Sequence, residues 1–164
     1  MPFADDLLEQ AQHLAQREPK RPKQASLRRA ISTAYYALFH LLITETTMNW
    51  KRPTERNALG RMFEHGAMKR ASEKKRSELN AYFKTNPADG ADVDLAKCLY
   101  EVADTFVQMQ QDRHIADYDN ARKWSRTETA AKIGSVQSAF QNWNQIRLSS
   151  AAQDYLVSLL LRER

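Results

Sequence analysis

Leu95, Leu99, Val102, Phe106 and Met109 recur at steps of four, three, four and three, and the next step of four lands on Arg113. A strand would alternate every second residue; this spacing instead lays the apolar side chains along one face of a helix. A face of that length must be buried against other apolar faces, and the chain supplies them. Leu27, Ile31, Ala34, Leu38 and Leu41 form a second seam, while Tyr36, His40 and Ile43 line another, more polar side of the same segment. A helix with two such faces is expected at the centre of a bundle. Phe3, Leu7, Ala11 and Leu14 give a third stripe, and Ile133, Val136, Phe140 and Trp143 a fourth.

Composition agrees with this reading. The 164 residues include only 4 Gly and 5 Pro, valine is sparse, and Ala, Leu, Gln, Glu, Lys and Arg dominate; these residues lose least on entering a helix. The expected fold class is all-α: an antiparallel bundle of four to five core helices plus a C-terminal helix, in one domain spanning residues 1–164. Helix one is predicted from Phe3 to about Arg17, followed by a basic connector, Glu18 to Gln24, whose two prolines oppose a helix. Helix two is predicted to begin near Ser26. A third helical region starts at Pro53 and Thr54, breaks or bends at Gly66, and continues through Ala71, Leu79, Tyr82 and Phe83 to a turn at Asn86–Gly90. The fourth helix carries the Leu95 stripe, and Ala116 to Trp124 reads as a loop. Ser125 with Glu128 has capping-box spacing before helix five, and Ser150 with Gln153 repeats it before helix six, Tyr155 to about Leu161.

Several function classes lose support at this level. Cys98 is the only cysteine, which excludes an intramolecular disulfide and a multi-thiolate zinc site and makes a reducing compartment the simplest home. The opening MPFADDLLEQ lacks the basic region and apolar run of a secretory signal, and the most apolar stretch, Ala34 to Ile43, is too short to span a bilayer. A soluble, cytoplasmic protein without a membrane partner is therefore expected. There is no GxxxxGK[ST], GxGxxG or GxSxG sequence, so nucleotide hydrolysis on a phosphate loop and serine hydrolase chemistry have no support. His13, His40, His65 and His114 are scattered without metal-ligand spacing; neither a metal nor another cofactor is predicted. The net charge of +5 permits a polyanionic partner. The basic residues concentrate at Arg17–Arg29 and Arg61–Arg76, each readable either as a solvated face or as a nucleic-acid contact.

The segment Arg113-His-Ile-Ala-Asp117-Tyr118-Asp119 gathers a fixed positive charge, an imidazole, carboxylates and a phenol where a long apolar helix ends. A structural reading has Arg113 and His114 meeting the negative end of the helix dipole, with Arg113 paired to Asp117 across one turn. A functional reading notes that Arg113 continues a core-facing stripe, where a guanidinium has to pair with an anion or face a cleft, and that its planar fork suits phosphate. Tyr36 and His40, one turn apart, are candidate cleft residues on helix two, with a packed, hydrogen-bonded histidine as the alternative.

Leu27-Arg-Arg-Ala-Ile-Ser-Thr-Ala-Tyr-Tyr-Ala-Leu-Phe-His40 resembles the second-helix signature of bacterial HEPN-like proteins (higher eukaryotes and prokaryotes nucleotide-binding), in which an Ala-Ile-Ser-x-Ala-Tyr-Tyr-Ala-x-Phe-His pattern recurs. Arg113 to Asp119 resembles the Arg-x-x-Ala-Asp-Tyr segment that closes a later helix in the same family. The resemblance implies an all-α bundle, often a homodimer with a polar cleft between subunits, and an association with RNA or nucleotides. Many catalytic members are metal-independent ribonucleases, often toxins paired with a small nucleotidyltransferase, and carry Arg, four to six residues, then His. Here those gaps after Arg113 lead to Tyr118, Asp119 and Asn120, while His114 is adjacent. Two expectations stay open: a ribonuclease of toxin–antitoxin or defence type, and a non-catalytic nucleotide-binding or protein-interaction module. In the first, Arg113 stabilises charge on the scissile phosphate, His114 or Tyr118 moves a proton, and Asp117 orients one of them.

Overall fold

The computed structural model describes residues 2–87 and 89–162; Met1, Ala88 within the expected Asn86–Gly90 turn, Glu163 and Arg164 lie outside the described residues. The helix-forming composition resolves into seven α-helices, with no strand among the described residues: α1 (Pro2–Ala15), α2 (Gln24–Thr47), α3 (Pro53–Gly60), α4 (His65–Thr85), α5 (Ala91–Tyr118), α6 (Arg126–Ile146) and α7 (Ser150–Leu160). No helix is long and apolar enough to cross a membrane among the described residues.

The α2 seam is buried along its whole length, from Leu27 to Leu41. The stripe of α5 packs against it, with Leu99, Val102, Phe106 and Met109 all buried. The two helices run antiparallel: Arg28 meets Ala116, Ser32 meets Asp117, and Tyr35 meets Arg113 and then Phe106. Helix α6 covers the pair with Ile133, Val136, Phe140 and Trp143, and α1, α4 and α7 complete the bundle around this core. A hydrogen bond of 2.7 Å between the Ser72 and Tyr155 hydroxyls joins α4 to α7 inside it. Arg147 grips the buried Glu45 carboxylate with two donors at 3.0 and 2.9 Å, fixing the end of α6 to α2.

Several boundaries differ from the sequence expectation. The third helical region breaks at residues 61–64, and Gly66 lies inside the first turn of α4. Helix α5 continues through Ala116, Asp117 and Tyr118, residues expected in a loop; Ala116 is buried, while the exposed polar residues around it hide the periodicity. Ser125 caps α6 as expected, its hydroxyl accepting from the Glu128 amide. The cap of α7, by contrast, is Ser149, accepting from the Ala152 amide, and Ser150 is already helical. In α1 the inward face is Ala4, Ala11 and Ala15, rotated from the expected stripe, and Phe3 stands out of the core.

The last turn of α5 is fixed from α2. Arg28 Nη1 donates to the carbonyls of Ala116 at 2.9 Å and Asp119 at 2.8 Å, and its Nη2 donates to that of Arg122. These groups have no acceptor role left inside a helix. Gln24 and the Trp124 backbone exchange two hydrogen bonds, 2.8 and 2.9 Å, which close the following loop onto the start of α2.

Candidate functional site

Arg113 arrives on the inward face of α5 with its side chain only 13% accessible. Its guanidinium carbon lies 5.2 Å from the centre of the Tyr35 ring and 5.9 Å from that of Tyr36, within range of a cation–π attraction. The Asp117 carboxylate is 3.9 Å away, at the outer limit of an ion pair, and it accepts a hydrogen bond from the buried Ser32 hydroxyl. Arg113 Nε is buried and has no hydrogen-bond partner among the described residues. The result is a desolvated guanidinium held by aromatic faces and only loosely neutralised, which is the state in which an added anion gains most.

The first turn of α4 adds His65. Its Nδ1 shares a 2.6 Å hydrogen bond with the Tyr35 hydroxyl, and its ring stacks on Phe39 at 4.3 Å. Burial lowers the His65 pKa, and Arg113 and His40 lower it further through their charge. His40 is likewise lowered by burial. Both rings are thus held toward the neutral form. Burial pushes the Tyr35 phenol up, against the smaller opposing pull of Arg113, so Tyr35 acts as a hydrogen-bonding group and not as a base. Tyr36 and His40, both half-buried, lie on the outer side of the cluster with ring centres 6.5 Å apart.

The expected site residues divide into two groups. Arg113, Asp117, Tyr36 and His40 come together with Ser32, Tyr35 and His65. His114 and Tyr118 pair with each other, ring centres 5.1 Å apart, on an exposed face about 100° around α5 from Arg113 and Asp117. Sequence reasoning missed His65, Tyr35 and Ser32. The Tyr35-Tyr36 doublet and Ser32 were visible within the second-helix signature, but no local signal brings His65 to them from thirty residues away.

The basic run on α4 is neutralised in part: Lys69 lies near Glu73 at 3.8 Å, Lys75 pairs with Glu78 at 2.9 Å, and Arg76 with Asp104 at 2.8 Å. An open groove of about 660 Å³ between α4 and α7 is lined in part by this run. Its Arg162 is occupied by Glu64 at 2.8 Å, and it is lined by none of the Arg113 cluster. Among the described residues no three His, Cys, Asp or Glu side chains gather as metal ligands. Comparison with known proteins finds no matching family model, no similar curated protein and no similar solved structure, so the chemistry of the cluster carries the functional argument.

Proposed function

We propose that this chain is a cytoplasmic HEPN-like protein that binds RNA or a nucleotide by taking a phosphate at Arg113. The observation that carries the reading is the guanidinium itself, wedged over Tyr35 and Tyr36, with its nearest carboxylate among the described residues at 3.9 Å and its Nε unpartnered among them. A phosphate oxygen is the acceptor that such a donor fork fits. The homodimer and the small nucleotidyltransferase partner belong to the same proposal, a dimer bringing two Arg113 segments to one cleft. Binding of a labelled oligoribonucleotide tests it. Arg113→Ala weakens binding at least tenfold while circular dichroism and the melting curve stay close to wild type, and Arg113→Lys restores only part, because an ammonium lacks the planar fork. Unchanged binding per folded molecule in Arg113→Ala overturns the reading.

A second reading, metal-independent ribonuclease, is favoured by His65, an imidazole held toward neutrality in the cluster that also holds Arg113. In that chemistry the 2′-oxygen loses its proton to the imidazole and bonds to phosphorus. The bond from phosphorus to the 5′-oxygen breaks, that oxygen takes the proton from the imidazolium so that the ring returns to its neutral form, and Arg113 stabilises the charge on the phosphorane. Cleavage of RNA in EDTA, leaving a 2′,3′-cyclic phosphate and lost in His65→Gln but kept in His114→Gln, supports it. Intact RNA after prolonged incubation leaves the binding function alone standing.

A further inference from the structure

The Arg113 cluster continues outward as a line of rings. From the guanidinium the line passes to Tyr36 at 5.9 Å, from Tyr36 to His40 at 6.5 Å, and from His40 to Phe3 of α1 at 4.9 Å. Phe3 is 58% exposed. Its edge-to-face contact with His40, at 68° between planes, leaves ring surface open to solvent. A large apolar ring so placed adds little to the core, since the inward face of α1 is made by Ala4, Ala11 and Ala15. On the same side of α2, Arg29 stands exposed two turns before Tyr36, adding a second positive charge to the stripe.

Resting on the phosphate reading above, we propose that Phe3, His40 and Tyr36 form a stacking shelf for unpaired bases, so that the ligand is single-stranded RNA. The phosphate sits on Arg113 and a base further along the strand, beyond Tyr36 and His40, lies against Phe3. Aromatic faces accept any base, which gives affinity without sequence readout, and they need bases free of a duplex. A paired helix presents its phosphates but keeps its bases stacked, so it can use Arg113 and not the shelf. Neutral rings are also the better stacking partners beside a cation, and His40 is held toward neutrality by burial.

The test measures fluorescence anisotropy of a labelled single-stranded 12-mer and of a hairpin duplex with wild type, Phe3→Ala, Phe3→Trp and Arg113→Ala. A 2-aminopurine base in the single strand reports stacking. Phe3→Ala is expected to weaken single-strand binding roughly tenfold and to relieve 2-aminopurine quenching, to change duplex binding less than twofold, and to leave the melting curve intact. Phe3→Trp retains both affinity and quenching. Equal single-strand affinity and quenching in wild type and Phe3→Ala overturns the shelf. So does AMP binding as tightly as the 12-mer, which would assign the site to a free nucleotide. Failure of the underlying phosphate reading has a different signature, an Arg113→Ala protein that binds both RNAs as wild type does.

Discussion

Arg113 with Asp117 and His114 with Tyr118 share the same four-residue spacing, one residue apart on α5, yet they occupy opposite kinds of surroundings. The first pair meets Ser32, Tyr35, Tyr36 and, from α4, the neighbourhood of His65. The second pair stands in solvent, Tyr118 at 68% exposure. The difference teaches that the surroundings of this helix end are set by what α2 and α4 bring to one face. Residue type and spacing alone would give both pairs equal standing; water screens the outer pair, while burial of the Arg113 side chain strengthens the interactions of its charge.

The strongest way to break the inner face is to remove its floor. Phe106 is fully buried, and its ring centre lies 5.6 Å from that of Tyr35, the residue under the Arg113 guanidinium. Phe106→Ala is expected to cost about 3–5 kcal/mol in denaturant unfolding and to weaken RNA binding even under conditions where the protein stays folded. A cost below about 0.5 kcal/mol would mean that the inner face does not depend on the core beneath it.

A smaller effect sharpens the comparison through pH. Because His40 and His65 have lowered pKa values when folded, the unfolded chain binds more protons just below its own imidazole value of about 6.5. Stability present at neutral pH is therefore lost as pH falls below about 6.5, and this contribution levels off once the folded imidazoles protonate. Denaturation midpoints between pH 7.5 and 5.5, chosen to stay above most carboxylate titration, should decline for wild type and decline less for His65→Gln. Equal declines would remove His65 from the account.

The smallest effect is expected on the outer face. His114→Ala and Tyr118→Ala should each change stability by no more than about 0.5 kcal/mol and leave affinity for RNA at the wild-type value. A folded His114→Ala protein with lost affinity would move the site to the outer face and reverse the comparison.

What the sequence made legible follows the range of each signal. The seams Leu27–Leu41 and Leu99–Met109 were readable because helical periodicity is a local property, and Arg113 was readable as the polar residue that continues such a seam. The cap of α7 was misplaced by one residue because Ser149 and Ser150 adjoin, and only geometry decides which hydroxyl reaches an amide. The final turn of α5 was missed because Asp117 and Tyr118 interrupt the apolar pattern while Ala116 still packs inward. His65 was beyond reach for another reason. Its partners Tyr35 and Phe39 lie on a different helix, and the connection through α3 carries no pattern that aims the start of α4 at them.

Arg28 has a consequence for how the molecule opens. The end of a helix ordinarily frays, since its last carbonyls have no partner of their own. In this bundle three of the carbonyls at and beyond the end of α5 are held by a side chain from the central helix, and Ser32 holds Asp117 from the same direction. Releasing the Arg113 turn therefore means detaching it from α2, so its opening is tied to that of the core and not to local motion. Amide hydrogens of Ile115 to Tyr118 are expected to exchange on the timescale of the bundle interior. An anion bound at Arg113 would for the same reason raise the melting temperature of the whole protein, its binding free energy reporting on global stability.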